Sequence, residues 1–365
     1  MSKAHIWIVS PASARANNGN WQSASRWARF LRSRYRVTIS QHWPDEKTAA
    51  AARPADADAD ADDAAVVRDT AVRGLTPHAS ARPNHSSEAP PDLLIALHAR
   101  RSAASLDAWT RAHLDRPSLL LLTGTDLYRD IAIDADAQRS LQQADALVLL
   151  QPAGYDVLPA ALHAKTSVIY QSAPALKPLP ASAGARRHAD ICMIGHLRSE
   201  KDPLTFMHAA ALVSATSARL IHIGGALAPE LEAAAQATAA SHASYQWLGA
   251  LPHAATRQRL KRCRAMAITS RMEGGANVII EAVRAGVPVL ASDISGNRGM
   301  LGDDYAGYFP LGDAAALAAL IDRIIEDDAY YRQLRAQCDV RSALFAPEAE
   351  QAALLELVDN LLHKT

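Results

Sequence analysis

Cysteine is scarce in this chain: Cys192, Cys263 and Cys338 stand far apart and are odd in number. That count excludes a disulfide framework or a thiolate zinc site and points to a reducing compartment. Net charge is also missing, with 38 basic and 38 acidic side chains, so neither a nucleic-acid polyanion nor an anionic membrane is expected as the main partner. No apolar run approaches the roughly 20 residues of a membrane span. A signal-peptide profile is absent too, because Asn17-Asn18-Gly19-Asn20 follows too soon after Ile6–Val9. The expectation is a cytoplasmic protein. What the chain has is apolar material, 49% of 365 residues, over a length that calls for two domains.

The periodicity supports that division. His5–Ser10 reads as a strand, Trp21 to about Arg34 as a helix with apolar and small residues at helical spacing, and Tyr35–Ser40 as a second strand. Residues 44–91 break the pattern with Ala, Asp, Pro, Arg and Ser, and read as a disordered or weakly helical insertion. The Ala-Asp alternation there lacks the glycine turn and ligand spacing of a calcium loop. Strands resume at Leu93–Leu97, Ser118–Leu122, Leu147–Leu150 and Ser167–Tyr170. The prolines of 172–189 mark a linker. The second half alternates more cleanly, with strands expected at Asp190–Gly195, Arg219–Ile223, Tyr245–Leu248, Ala265–Thr269, Pro288–Ala291 and Gly307–Phe309. Such alternation implies parallel, doubly wound sheets. The expected organisation is 1–171, a linker, 190–346, and a final helical segment 347–365 packing back on the first domain.

Two segments carry most of the chemistry. In Ser270-Arg271-Met272-Glu273-Gly274-Gly275-Ala276-Asn277, a strand ends at a glycine turn, and a helix containing Glu281 follows. Backbone N–H groups and a positive dipole end then face the crevice where open α/β sheets bind ligands. In Gly195-His196-Leu197-Arg198-Ser199-Glu200-Lys201, two cations three apart precede a helix. They suit a diphosphate whose charge grows as a leaving group departs. Gly224-Gly225 after the Arg219–Ile223 strand allows a close approach by a nucleotide.

Together these residues resemble the C-terminal domain of GT-B glycosyltransferases, in the large retaining group that includes sucrose, trehalose and lipopolysaccharide synthases. Arg198 and Lys201 match its Arg-x-x-Lys loop, Glu273 and Glu281 its Glu-x7-Glu signature, and Gly286–Val289 its Gly-x-Pro-Val strand. The resemblance implies two Rossmann-like domains facing a cleft. It also implies a metal-independent hexosyltransferase in which Arg198, Lys201 and Glu273 act at the reacting diphosphate and sugar, and no cofactor is needed. Gly195, Gly224, Gly274, Gly275, Ala276 and Asn277 would line the UDP-sugar, and Glu281 would hold its ribose. One departure is that Glu273-Gly274-Gly275-Ala276 stands where the group has Glu-Gly-Phe-Gly, so an aromatic is lost.

The first half narrows the acceptor. Asn17-Asn18-Gly19-Asn20-Trp21, His98-Ala99-Arg100-Arg101 and Thr123-Gly124-Thr125-Asp126-Leu127-Tyr128-Arg129 resemble segments of the selenosugar synthases of bacterial selenoneine biosynthesis, a divergent branch of the same group. That resemblance implies selenophosphate as acceptor, with functional links to a selenophosphate synthase and a selenoneine synthase. Asn17, Asn18, Gly19, Asn20, His98, Arg100, Thr125, Asp126 and Arg129 would contact it. Each carries a plainer alternative: His98 can be a satisfied core histidine, and Asp126 can cap the next turn. Thr123 stands where many members have a histidine, and the role of Asn297 and Arg298 is open. Three other readings remain: a hydroxyl-acceptor transferase, a non-catalytic nucleotide-sugar-binding protein, and an epimerase of similar build.

Overall fold

The computed structural model describes residues 3–12, 19–43, 90–177 and 188–363. The 44–91 insertion, apart from its last two residues, lies outside that set, as do Asn17, Asn18 and the middle of the 172–189 segment. Two six-stranded sheets organise the chain, and every strand pair in both is parallel.

The first sheet holds β1 (His5–Val9), β2 (Arg36–Ser40), β3 (Leu93–Leu97), β4 (Ser118–Leu121), β5 (Ala146–Leu149) and β6 (Thr166–Val168), in the order β2-β1-β3-β4-β5-β6. Its central strands are apolar without alternation because both faces are covered; Leu93 to Leu97 are all fully buried. On one face pack α1 (Gly19–Leu31) and the last helix of the chain, whose Leu354, Val358 and Leu361 join Trp27, Leu31, Ile6 and Ile95. The other face receives α2 (Ala103–Ala112) and α3 (Ala135–Gln143), through Leu106, Trp109 and Leu141. Helix α1 starts two residues before the Trp21 expected from periodicity and ends three residues before Arg34, where Arg34 N–H closes a turn on Leu31 C=O.

The second sheet runs β12-β11-β10-β7-β8-β9, built from β7 (Ala189–Ile194), β8 (Ala218–Ile223), β9 (Tyr245–Trp247), β10 (Ala265–Ile268), β11 (Val289–Ser292) and β12 (Tyr308–Phe309). In this order the direction of winding reverses between β7 and β10, so the crevice opens at the carboxyl ends of those two strands. Helices α4 (Pro203–Ala210), α5 (Pro229–Ser241), α6 (His253–Leu260), α7 (Asn277–Arg284), α8 (Ser295–Leu301), α9 (Ala314–Glu326) and α10 (Asp328–Ser342) fill the crossovers and flanks. A single apolar cluster spans this half, from Ile191 and Leu220 to Ile321 and Leu334. Helix α11 (Pro347–His363) then returns to the first sheet. Its buried Glu350 accepts from Arg26 Nε at 2.8 Å, Trp27 Nε1 at 2.8 Å and Ser172 Oγ at 2.5 Å, a buried carboxylate with an ion pair and neutral donors.

Sequence periodicity missed one local feature. After β4 the backbone makes a π-helical turn over Asp126–Asp130 that runs on into Ile131–Ile133. Such turns concentrate at functional sites.

Candidate active site

Four strand ends meet at the cleft, and the chain approaches itself there at backbone distance. A Cβ added to Gly274 would lie 2.3 Å from the Thr123 carbonyl oxygen, so only glycine lets the loop after β4 touch the loop after β10. On the other side of the second sheet's edge, a Cβ on Gly224 would stand 1.9 Å from the Gly195 carbonyl oxygen. That carbonyl accepts from His222 Nε2 at 3.2 Å, while His222 Nδ1 lies 3.0 Å from the Tyr245 hydroxyl. Burial holds the His222 ring neutral and lowers its pKa to about 4. With Nε2–H donating to the carbonyl, Nδ1 is left to accept from Tyr245.

The loop after β7 carries Arg198 and Lys201 around a 3₁₀ turn, Ser199–Lys201, and Lys201 packs against Gly195 with its Cγ 3.5 Å from the position of an added Cβ. Lys201 Nζ donates to Glu273 Oε1 at 2.6 Å. The Lys201 carbonyl accepts from Thr269 Oγ1 at 2.7 Å, and Glu200 C=O from Arg271 N–H at 2.8 Å. The two sequence segments are thus stitched to one another by backbone and side chain. Eight residues beyond Glu273, the half-buried edge of α7 presents Glu281, whose Oε1 lies 2.5 Å from His253 Nε2 at the start of α6. The hydrogen bond to Glu281 raises the His253 pKa, against a smaller opposing effect of burial.

The first sheet contributes a different kind of cluster. Asp126 is fully buried, and its carboxylate accepts from Thr123 N–H, Thr123 Oγ1, Gly124 N–H and Ala99 N–H at 2.8–3.2 Å. It ties the ends of β3 and β4 together. His98 has φ of 72°, a left-handed backbone that is uncommon for a non-glycine residue, and is only 2% exposed. Its Nδ1 accepts from Arg101 N–H at 3.3 Å, which puts the ring proton on Nε2, 3.2 Å from Thr125 Oγ1. Burial lowers its pKa, so the ring is a neutral brace for the loop. Asp130, 3% exposed, pairs with Arg100 Nε at 3.0 Å and Arg129 Nε at 3.0 Å, and Arg129 reaches across to Glu200 at 3.9 Å. Gly19 and Asn20 open α1, with the Asn277 side-chain amide nitrogen 4.0 Å from where a Gly19 Cβ would stand.

Several residues at this junction carried no sequence signal. His253 and Glu281 are 28 positions apart, and no spacing rule pairs them. Gln151 Nε2 donates to the Tyr128 hydroxyl at 2.6 Å, and Tyr170 donates to the Gly299 carbonyl at 3.1 Å. Asn297 is buried and donates to the Ser292 carbonyl and hydroxyl at the end of β11; Arg298 forks onto Asp293 at 2.6 and 2.8 Å on the surface.

The two parallel sheets and their facing loops have the GT-B fold. Residues 182–341 match the family model described as glycosyl transferases group 1, so the second sheet and its helices form a glycosyltransferase domain. Among solved structures, HepE from Anabaena in complex with UDP and glucose is similar at a TM-score of 0.71 and 15% identity, over 98% of this chain and 100% of that one. Sucrose-phosphate synthase from Thermosynechococcus elongatus is similar at 0.70 and 18%, over 100% of both chains. No curated protein gives a significant sequence match. Among the described residues no helix is long and apolar enough to cross a membrane.

Proposed function

We propose that the protein moves a hexosyl or N-acetylhexosaminyl group from a UDP-sugar to selenophosphate. The bond from the anomeric carbon to the UDP oxygen breaks, a carbon–selenium bond forms, and UDP leaves with the electron pair. The observation that carries the donor half is the Lys201–Glu273 pair at 2.6 Å, held beside Arg198 at the carboxyl end of β7. An ammonium that already holds a carboxylate at this place can exchange it for a diphosphate, and the freed Glu273 then faces the sugar. Arg198 and Lys201 neutralise the departing UDP. Gly195 and Gly224 let the nucleotide approach the backbone, and Glu281 accepts from ribose hydroxyls. The backbone of Gly274, Gly275, Ala276 and Asn277 orients the sugar.

In this reading residues 1–171 present the acceptor, 190–346 bind the donor, and 172–189 link them. Arg100 and Arg129, with side chains 38% and 36% exposed, supply cations for a small anion, assisted by Gly19 and Asn20. His98, Thr125 and Asp126 hold the loop that carries them. A selenium nucleophile is ionised and polarizable, so the neutral, buried His98 need not act as a strong base.

A hydroxyl acceptor is the second reading, and it is supported by the solved relatives, one of them a sucrose-phosphate synthase and another solved with UDP and glucose. The decisive experiment incubates the purified protein with UDP-N-acetylglucosamine or UDP-glucose and, separately, selenophosphate, thiophosphate and simple alcohols. A selenium-bearing sugar by mass spectrometry is the expected product. UDP release with alcohols alone would overturn the selenium reading and leave the transferase reading standing.

A further inference from the structure

The segment joining the two halves passes through the cleft floor at Gln171, which is 2% exposed. The surroundings of its side-chain amide fix which end is which. On one side lie two acceptors, Asn277 Oδ1 at 3.0 Å and the Gly275 carbonyl at 3.2 Å, so the amide nitrogen points there. On the other lies Arg26 Nη2 at 3.3 Å, a group that can only donate, so the amide oxygen points there. Arg26 is in turn fixed by the buried carboxylate of Glu350, which takes its Nε at 2.8 Å.

These contacts form a chain of fixed polarity. Glu350 can only accept, Arg26 can only donate, Gln171 accepts from one side and donates to the other, and Asn277 therefore receives on Oδ1. Its two remaining donors, the Nδ2 protons, are turned toward the first residue of α1, where Nδ2 stands 4.0 Å from the place of a Gly19 Cβ. We propose that Gln171 is a positioning residue that, anchored by Arg26 and Glu350, presents the Asn277 side-chain N–H to an anionic oxygen of the cleft ligand. This rests on the nucleotide-sugar reading above. It adds that the ligand's charge at this spot is met by a neutral donor whose direction is set from the last helix of the chain. The oxygen belongs to a phosphoryl group of the donor or of the acceptor.

Gln171→Glu tests polarity without changing shape. A carboxylate still satisfies Arg26 but cannot donate to Asn277, so the Asn277 amide turns over and sends its oxygen into the cleft. Titration calorimetry with UDP compares wild type, Gln171→Glu, Asn277→Ala and the double variant. The expected result is a loss of about tenfold in UDP affinity for each single variant, as for one lost hydrogen bond to a charged group, and no further loss in the double. If UDP affinity stays at the wild-type value and the KM for thiophosphate rises instead, the oxygen is the acceptor's. An equal cost of Gln171→Glu with and without the Asn277 amide, or no effect on either ligand, overturns the proposal. Should Gln171→Glu fail to fold, Gln171→Met removes the same donors, and its loss must likewise vanish in the Asn277→Ala background. NMR separates this proposal from the donor reading. The Asn277 side-chain amide resonances of the ligand-free protein must shift in Gln171→Glu; an unmoved signal sinks the proposal even if UDP binds, whereas a wild type that ignores UDP sinks only the donor reading.

Discussion

The two sides of the cleft use ionic groups in opposite ways. At the end of the second sheet, Lys201–Glu273 and His253–Glu281 are one-to-one pairs at the rim, each partner holding the other by a single contact. At the end of the first sheet, Asp126 is saturated by three backbone N–H groups and a hydroxyl, and Asp130 by two arginines. A single exchangeable contact can be traded for a ligand at little cost. A buried carboxylate with every lone pair committed cannot be, because each orphaned donor would carry its full desolvation penalty. The second sheet's side is thus built for exchange and the first sheet's side for shape.

Four measurements can break or sharpen that contrast. The largest effect is expected from Asp126→Ala, which strands the Ala99, Thr123 and Gly124 N–H groups; chemical denaturation should show a loss of about 4 kcal/mol. A loss below about 1 kcal/mol would remove the scaffold role. Lys201→Ala should leave the denaturation midpoint within experimental scatter yet lower kcat/KM for a UDP-sugar about hundredfold, about 3 kcal/mol of transition-state stabilisation. Unfolding without an activity defect would reverse the assignment of exchangeable and structural groups.

Acid should act through His222, whose folded pKa is lowered by burial to about 4 from the ordinary 6.5. The unfolded chain binds the proton more readily, so this contribution is complete above the unfolded pKa and declines as pH falls toward the folded one. About 2 kcal/mol should be gone by about pH 5, and His222→Gln should flatten that part of the stability profile. His253 has the opposite sign, since pairing with Glu281 raises its pKa. The pair is strongest at low pH and weakens as pH rises through the raised value, and under the proposed function it competes with ribose for Glu281. The KM for a UDP-sugar should therefore fall a few-fold as pH rises, about the effect of a half-exposed ion pair, and His253→Gln should abolish that slope. A KM independent of pH in the wild type would show that the histidine never leaves the carboxylate's way.

The same contrast explains what was legible in the sequence. Glu273, the glycines and Glu281 sit within one strand–turn–helix unit, where spacing alone places them at the crevice. Arg198 and Lys201 sit in the earlier strand–loop–helix unit that begins with β7, and parallel alternation puts both units at one sheet edge. For Asp126 a local capping role was visible, but as a cap on the next turn, whereas its carboxylate accepts from Thr123 and Gly124, which precede it. The contact to Ala99 was not, and neither were the partners His253, Gln171 and Glu350. Arg26 and Glu350 are 324 positions apart, and only the return of α11 joins them. The π-helical turn at Asp126–Asp130 escaped as well, since its five-residue closure leaves no periodic trace in so short a segment.

The placement of α11 has a consequence for how the molecule comes into being. One face of the first sheet is completed only by Leu354, Leu355, Val358 and Leu361, which are synthesised after both sheets. The second sheet has its own apolar cluster and needs nothing from them. Synthesis therefore runs opposite to completion: the half made first waits with one apolar face covered only by α1 while the half made second closes around itself. A chain halted before Pro347 should hold a finished second half beside an unfinished, chaperone-dependent first half. Supplying residues 347–363 as a separate peptide should restore the missing face.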